Sequence, residues 1–384
     1  MLAQGSVNLL RPVTSYKLLA LGADGLTVGL VTAVYALVPL VAALALARRA
    51  DRTRRLLRAA GAATVVLGTG GALLALADGV LLVVAGTMVL GVGHLLFTLA
   101  GQAAIARYSR DSELDLGFGW FTASYSLGQA LGPLLGGALV GPAAGSAGDR
   151  LARVDLALWV GTGVALLALP LLLAPLAVPP VRAQARAGEE DLEPRTSMRG
   201  VLRLPGVAPA MSASLTLLAA LDILTAFLPV VGERAGVPPV VVGALLAVRG
   251  AAAFVARVSL PLLTGWLSRT SWVLVSLVGA ALALALPPLV LDRTLLAAVC
   301  LAVGGFFLGL GQPLTMTLIS TGVPTQWRSQ ALAVRLVGNR VGQVAVPLLA
   351  GLVAAPLGPA AAIWLSCALL GGSGAYLALA HRRR

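Results

Sequence analysis

Seven ionisable residues lie where apolar sequence surrounds them. Arg11, Arg249, Arg257, Arg335 and Arg340 sit in hydrophobic runs, together with one deep acid, Asp222, and one histidine, His94. Runs of about 20 such residues cross a bilayer, and each arginine near its centre costs about 2.5–3.5 kcal/mol on insertion scales. Five arginines facing lipid would be prohibitive, so they must face partners or a watery cavity. Their polar neighbours keep helical spacing. Gln4, Asn8, Arg11 and Ser15 share one face of the first run; His94, Thr98 and Gln102 recur every fourth residue in the fourth; Arg335, Asn339 and Gln343 do so in the eleventh. Guanidinium and amide groups converging on a cavity make charge-assisted hydrogen bonds to oxygen-bearing solutes. An intramembrane acid or imidazole can take and release a proton. The expected chemistry is therefore solute binding by Arg11, Asn8, Arg249, Arg335, Asn339, Arg340, Gln343 and Gln102, and proton exchange at Asp222 or His94. Plainer roles stand beside these. Arg257 is near a loop and can brace it, Arg340 can pack between helices, and His94 can be a hydrogen-bonded interior residue. Asp222 can simply pair with Arg11 or Arg249, which would hide much of its cost.

Covalent chemistry finds no foothold. The histidines are His94 and His381, and no nucleophile–base or metal spacing accompanies them. Cys300 and Cys367 lie in apolar runs and read as small buried hydrophobes. No cofactor and no metal is expected.

The elements that must hold these groups are transmembrane helices. The 384 residues are 58% hydrophobic and 11% charged, with mean hydropathy +0.93. A water-soluble chain of that size has too much surface to be so apolar. The spans are read as 1–21, 26–47, 59–77, 80–104, 117–141, 154–178, 207–231, 240–263, 272–291, 294–318, 329–353 and 358–379. Turns such as Asp78-Gly79 and Asp292-Arg293 force antiparallel neighbours. The expected fold class is an all-α polytopic membrane protein of about twelve transmembrane helices. Residues 179–206, rich in charge and proline, read as a linker between a bundle over 1–178 and a bundle over 207–384.

Net charge is +13. Arginines crowd alternate loops, among them Arg48, Arg49, Arg52, Arg54, Arg55 and Arg58, whereas the opposite loops carry Arg150, Arg153, Arg234 and Arg293. That asymmetry predicts a plasma-membrane protein with both termini in the cytoplasm. Aromatics are 5% and do not interleave with the basic clusters, so nucleic acid is not an expected partner. Lys17 is the sole lysine, a usage typical of GC-rich bacterial genomes.

Two stretches repeat. Gly29 and Gly243, Gly128-Gln129 and Gly342-Gln343, Pro133 and Pro347, and Gly137 and Gly351 share one displacement of 214 positions (243 − 29, 342 − 128). A single displacement linking two helix pairs indicates a duplicated six-helix unit in parallel orientation. The same displacement sets the partner of Val207 before Met1, so the first span should lack about two turns, through a truncated start or a short first helix.

Span five carries Gly119, Gly128, Gly132, Pro133, Gly136 and Gly137, a spacing of small residues and proline that lets helix backbones approach in lipid. It resembles the antiporter motif of the major facilitator superfamily. The loop after span two, Ala47-Arg48-Arg49-Ala50-Asp51-Arg52-Thr53-Arg54-Arg55, resembles that superfamily's Gly-x-x-x-Asp-Arg-x-Gly-Arg-Arg signature, though Ala47 replaces the first glycine and the inner glycine is missing. Arg257 with Gly265-Trp266-Leu267 resembles a degenerate second copy. The resemblance implies two pseudo-symmetric six-helix bundles, alternating access, Asp51 as a gating acid, and proton-coupled export more than import. Five embedded arginines against one aspartate point to a neutral or anionic solute rather than a lipophilic cation. The expected partners are that small molecule, protons and the lipid bilayer, with the protein a monomer. A proton symporter importing a nutrient is the alternative, and a membrane-embedded lipid enzyme a remote one.

Overall fold

The structure, a computed structural model, describes residues 1–52, 56–108, 114–141, 147–170, 198–263, 266–324 and 327–382. It is all-helical there. Twelve long helices run in order: α1 (Leu2–Ala20), α2 (Gly25–Arg52), α3 (Leu56–Ala75), α4 (Val80–Tyr108), α5 (Leu114–Val140), α6 (Ala147–Leu166), α7 (Val207–Arg234), α8 (Pro239–Leu263), α9 (Arg269–Ala285), α10 (Thr294–Thr321), α11 (Arg328–Leu357) and α12 (Pro359–Arg382). A six-residue helix, Met198–Arg203, precedes α7. Within α1–α6, α1 packs on α5 and α6, and α3 on α4 and α6; within α7–α12, α7 packs on α11 and α12, and α8 on α10. The chain is thus an all-α polytopic membrane protein of two six-helix bundles. Both termini lie on one face, here the termini face; the other is the far face.

Eight helices among the described residues are long and apolar enough to cross a membrane: α3, α4 and α7 to α12. The polar α1 is tolerated because protein surrounds it. Fourteen of its nineteen residues are buried, Gln4, Asn8 and Lys17 among them. Lys17 is ion-paired with Asp155 of α6 and also reaches the carbonyl of Ala75 (3.4 Å). α1 has 19 residues where α7 has 28.

The sequence places the start of span six at 154, but α6 begins at Ala147. The early turns carry Arg150 and Arg153, which read as loop residues, and Asp155, at the edge of the expected span. Each has a partner: Arg150 Nη1 meets Glu233 of α7 (2.5 Å), Arg153 Nε donates to the carbonyl of Val140 (3.0 Å), and Asp155 takes Lys17. Residues 171–178 of that span, and most of the linker 179–206, lie outside the described residues.

The 214-residue displacement appears as two matching contacts between the bundles. A Cβ on Gly29 of α2 would lie 2.5 Å from the carbonyl of Pro347 and 2.6 Å from Cα of Gly351 on α11. Its counterpart on Gly243 of α8 would strike the carbonyl of Pro133 and lie 3.0 Å from Cα of Gly137 on α5. All four glycines stand toward the far face, where the Arg150–Glu233 pair also joins the bundles. Three further glycines of α5 serve another surface. Gly128, Gly132 and Gly136 face α1, their hypothetical Cβ atoms 2.8 Å from Gln4 C, 2.7 Å from Asn8 C and 2.9 Å from Val13 Cγ2. α5 is therefore wedged between α1 of its own bundle and α8 of the other.

Candidate solute and proton site

The two bundles meet midway along α1 and α7. There Arg11 Nη2 forms a salt bridge to Asp222 Oδ1 at 2.7 Å, with side chains 15% and 4% exposed. The second carboxylate oxygen is also used: Gln343 Nε2 of α11 donates to Asp222 Oδ2 at 2.7 Å, and Gln343 Oε1 accepts from Arg340 Nη1 at 2.9 Å. One acid thereby holds one guanidinium directly and a second through an amide. The four side chains form a relay, Arg11–Asp222–Gln343–Arg340, across three helices and both bundles.

The relay continues on the other side of Arg11. Its guanidinium lies over the ring of Tyr35, 4.6 Å from the centroid. Tyr35 Oη is 2.5 Å from His94 Nδ1, and His94 Nε2 is 3.1 Å from Gln4 Oε1. The phenol oxygen and the amide oxygen thus hold the imidazole at its two ring nitrogens. The ring of Tyr125 stacks near His94 at 6.1 Å. Both histidine nitrogens are thus engaged, whereas Asp222 holds a cation from the other bundle at the level of this cavity.

A cavity of about 100 Å³ opens beside the relay, lined by Arg11, Tyr35, His94, Tyr125, Asn339, Arg340 and Gln343, with Leu218 and Leu336. A smaller one of about 30 Å³ shares Arg11 and Tyr35 and extends along α1 past Thr14 and Leu18, toward the far face. It has room for roughly two waters. Arg11 and Tyr35 are therefore the partition between two hollows.

Of the residues singled out from sequence, Arg11, Asn339, Arg340, Gln343 and His94 line the cavity and Asp222 joins their network. Four are elsewhere. Asn8 donates to its own helix at Gln4 O (2.8 Å). Arg335 turns to Ser214 Oγ (2.8 Å) and Gln312 Oε1 (3.5 Å) within the second bundle. Gln102 is exposed. Arg249 is 2% exposed, and its Nε and Nη1 find no hydrogen-bond partner among the described residues. Arg257 bonds Ser126 of α5, a cross-bundle contact. Asp51 and Arg52 end α2, but their side chains lie outside what is described, as do the surroundings of Gly119 and all of Gly265. No cluster of potential metal ligands occurs among the described residues.

Tyr35 and Tyr125 were not singled out from sequence, because an isolated tyrosine in an apolar span carries no periodic signal. The displacement of 214 could have found them: it maps Tyr35 onto Arg249 and Tyr125 onto Asn339.

Comparison with known proteins places this geometry. The profile of the Major Facilitator Superfamily matches residues 1–333. The fold superposes on the nucleoside transporter NupG with a TM-score of 0.78 at 14% identity, covering 100% of this chain and 97% of that one. It superposes on a D-xylose-proton symporter with a TM-score of 0.75 at 15% identity, covering 98% and 94%. It also superposes on a bacterial homolog to the human lysosomal transporter Spinster, inward-facing and unoccupied, with a TM-score of 0.70 at 15% identity, covering 99% and 94%. No curated protein sequence matches the chain.

Proposed function

The chain belongs to the major facilitator superfamily and is a transporter rather than an enzyme, and from that premise we propose that it moves a small neutral or anionic organic molecule through the central cavity by alternating access, coupled to protons. The observation that carries this reading is the Arg11–Asp222–Gln343–Arg340 relay. It sets two cations and an amide around a cavity at the meeting of the bundles, with Asp222 bound to Arg11 directly and to Arg340 through Gln343. Arg11, Asn339, Arg340 and Gln343 bind the solute, and Asp222 carries the proton. The 1–178 and 207–384 units rock against each other about this point, tethered by 179–206. The arginine-rich loops support a plasma-membrane protein whose termini face is cytoplasmic. We take the working unit to be a monomer, since each chain supplies a complete cavity.

Export in exchange for protons is the sense that the α5 glycine series implies by resemblance. Uptake together with protons is a second reading, favoured by the way Asp222 occupies the arginines. Purified protein in liposomes tests the proposal. An imposed pH gradient should drive accumulation of a neutral or anionic solute from a screened panel, and Arg11→Ala or Asp222→Asn should abolish the gradient-driven component. Transport of cationic solutes that survives Arg11→Ala would overturn it.

A further inference from the structure

We infer that a groove on the termini face of the second bundle, beside the short helix Met198–Arg203, holds one anionic phospholipid of the bilayer, its phosphate at Arg203 and its acyl chains along the ends of α7 and α12. The groove shares no lining residue with the central cavity. The lipid is therefore a resident ligand, and the inference stands whatever the solute.

The short helix is fastened to the second bundle. Its Val201 has no exposed surface and packs with Val207 and Ala210 of α7, Ile319 of α10 and Ala331 of α11. Pro205 and Gly206 then turn the chain into α7, with Gly206 at φ +82° as the N-cap. Outside this turn lies a groove of about 510 Å³, lined by Leu202, Arg203, Leu204, Ala208, Tyr376 and Leu379 among others. That volume is within the roughly 300–1,000 Å³ of small-molecule sites. A second hollow of about 180 Å³ adjoins it at Pro205, Gly206 and Ala380 and adds Thr270, Thr321 and His381.

The groove has an apolar wall and a cationic rim. Tyr376 and Leu379 are 48% and 56% exposed, an arrangement that water penalises and acyl chains do not. Tyr376 precedes Arg382 by six residues, about 9 Å along α12. Its ring thus stands just below the rim, at the level where aromatic side chains anchor in a membrane interface.

The rim has no counter-charge of its own. Arg203 is exposed, and Arg269 and Arg382 adjoin Thr270 and His381 in sequence. Residues 198–384 contain three acids, Asp222, Glu233 and Asp292. The first belongs to the central relay, the second to the far-face bridge, and the third to the far-face turn between α9 and α10. No ion pair holds the rim arginines among the described residues. A phosphodiester joined to acyl chains supplies both missing partners in one molecule. A zwitterionic headgroup would bring a second positive group to the same rim. Each basic residue at a membrane surface is worth about fivefold in affinity for anionic lipid.

Native mass spectrometry of the full-length protein in detergent tests the site, with phosphatidylglycerol and phosphatidylcholine of identical chains added in turn. One phosphatidylglycerol should be retained, about tenfold more tightly than phosphatidylcholine. Arg203→Gln should cut that preference about fivefold, while Arg293→Gln on the far face should leave it unchanged. Ala208→Phe, which fills the groove, should release the retained lipid; should that variant not fold, the two arginine variants decide alone. Equal retention of the two lipids, or equal effects of the two arginine variants, overturns the inference. So does phosphatidylglycerol that binds only after Glu189, Glu190, Asp191 and Glu193 are neutralised, which would give the groove to the linker. A dimer that Ala208→Phe breaks would give it to a second copy and overturn the inference as well.

Discussion

A guanidinium and a carboxylate taken out of water repay their lost hydration only while they remain together. Arg11 and Asp222 illustrate this, since the aspartate has both oxygens engaged and a side chain 4% exposed. Arg11→Leu or Asp222→Leu alone should destabilise by about 3–5 kcal/mol, whereas the double substitution should recover most of the loss. Thermal melting of the four proteins in one detergent would show additive losses if the pair is not coupled. Arg249 presents the opposite case. Its buried Nε and Nη1 have no described partner, so its charge is a burden on the resting fold. Replacing it with methionine should leave stability unchanged or raise it by about 1 kcal/mol, yet lower transport if another conformation pairs it. Arg335 differs because Ser214 and Gln312 satisfy it, and Arg335→Met should cost about 1–2 kcal/mol. Melting curves separate the two: equal losses would remove the distinction.

Helices in lipid gain little from burying apolar surface, so their contacts depend on how closely backbones approach. α5 solves this with three glycines toward α1 and a fourth toward α8. Gly132→Val would drive Cβ into the backbone of Asn8 and Leu9, where no side chain can give way. The expected cost is about 1–3 kcal/mol of overpacking and near-complete loss of transport. Gly371→Ala in α12 is the control, because a Cβ there meets nothing within 4 Å; it should stabilise slightly through helix propensity. Equal effects of the two on melting and transport would refute the packing account. That account also explains why the α5 spacing was legible while its meaning for direction was not: the glycines answer to neighbouring backbones, not to protons. Element boundaries were legible wherever hydropathy changed sharply. They failed at α6, since Arg150 and Arg153 look like loop residues until Glu233 of α7 and the carbonyl of Val140 partner them.

At the scale of the whole molecule, duplication was readable because it left identical glycines and prolines 214 positions apart. The site was only partly readable, because the copies have diverged in chemistry where it matters. The displacement relates Asp222 to Asn8, Gln343 to Gln129 and Arg340 to Ser126, so the second bundle's members of the relay correspond to uncharged residues in the first. What both bundles retain is the far-face seal of paired glycines, and there the Arg150–Glu233 bridge joins α6 to α7, its side chains 22% and 25% exposed. Arg150 Nη2, Glu233 Oε2 and the nearby Tyr16 hydroxyl are buried without hydrogen-bond partners among the described residues, so the bridge is the polar contact that rewards closure there. A partly exposed pair is worth about 1 kcal/mol, enough to move an open–closed equilibrium about fivefold. Glu233→Gln should therefore open the far face more often. Thr225 lines the small hollow on that side of Arg11. With Cys300 and Cys367 replaced by alanine, Thr225→Cys should react about five times faster with a membrane-impermeant maleimide when Glu233→Gln is added. The exchanged pair Arg150→Glu with Glu233→Arg should return the rate toward its starting value, because the bridge is restored in reverse. A labelling rate indifferent to all of these changes would mean that the glycine contacts alone hold the far face shut.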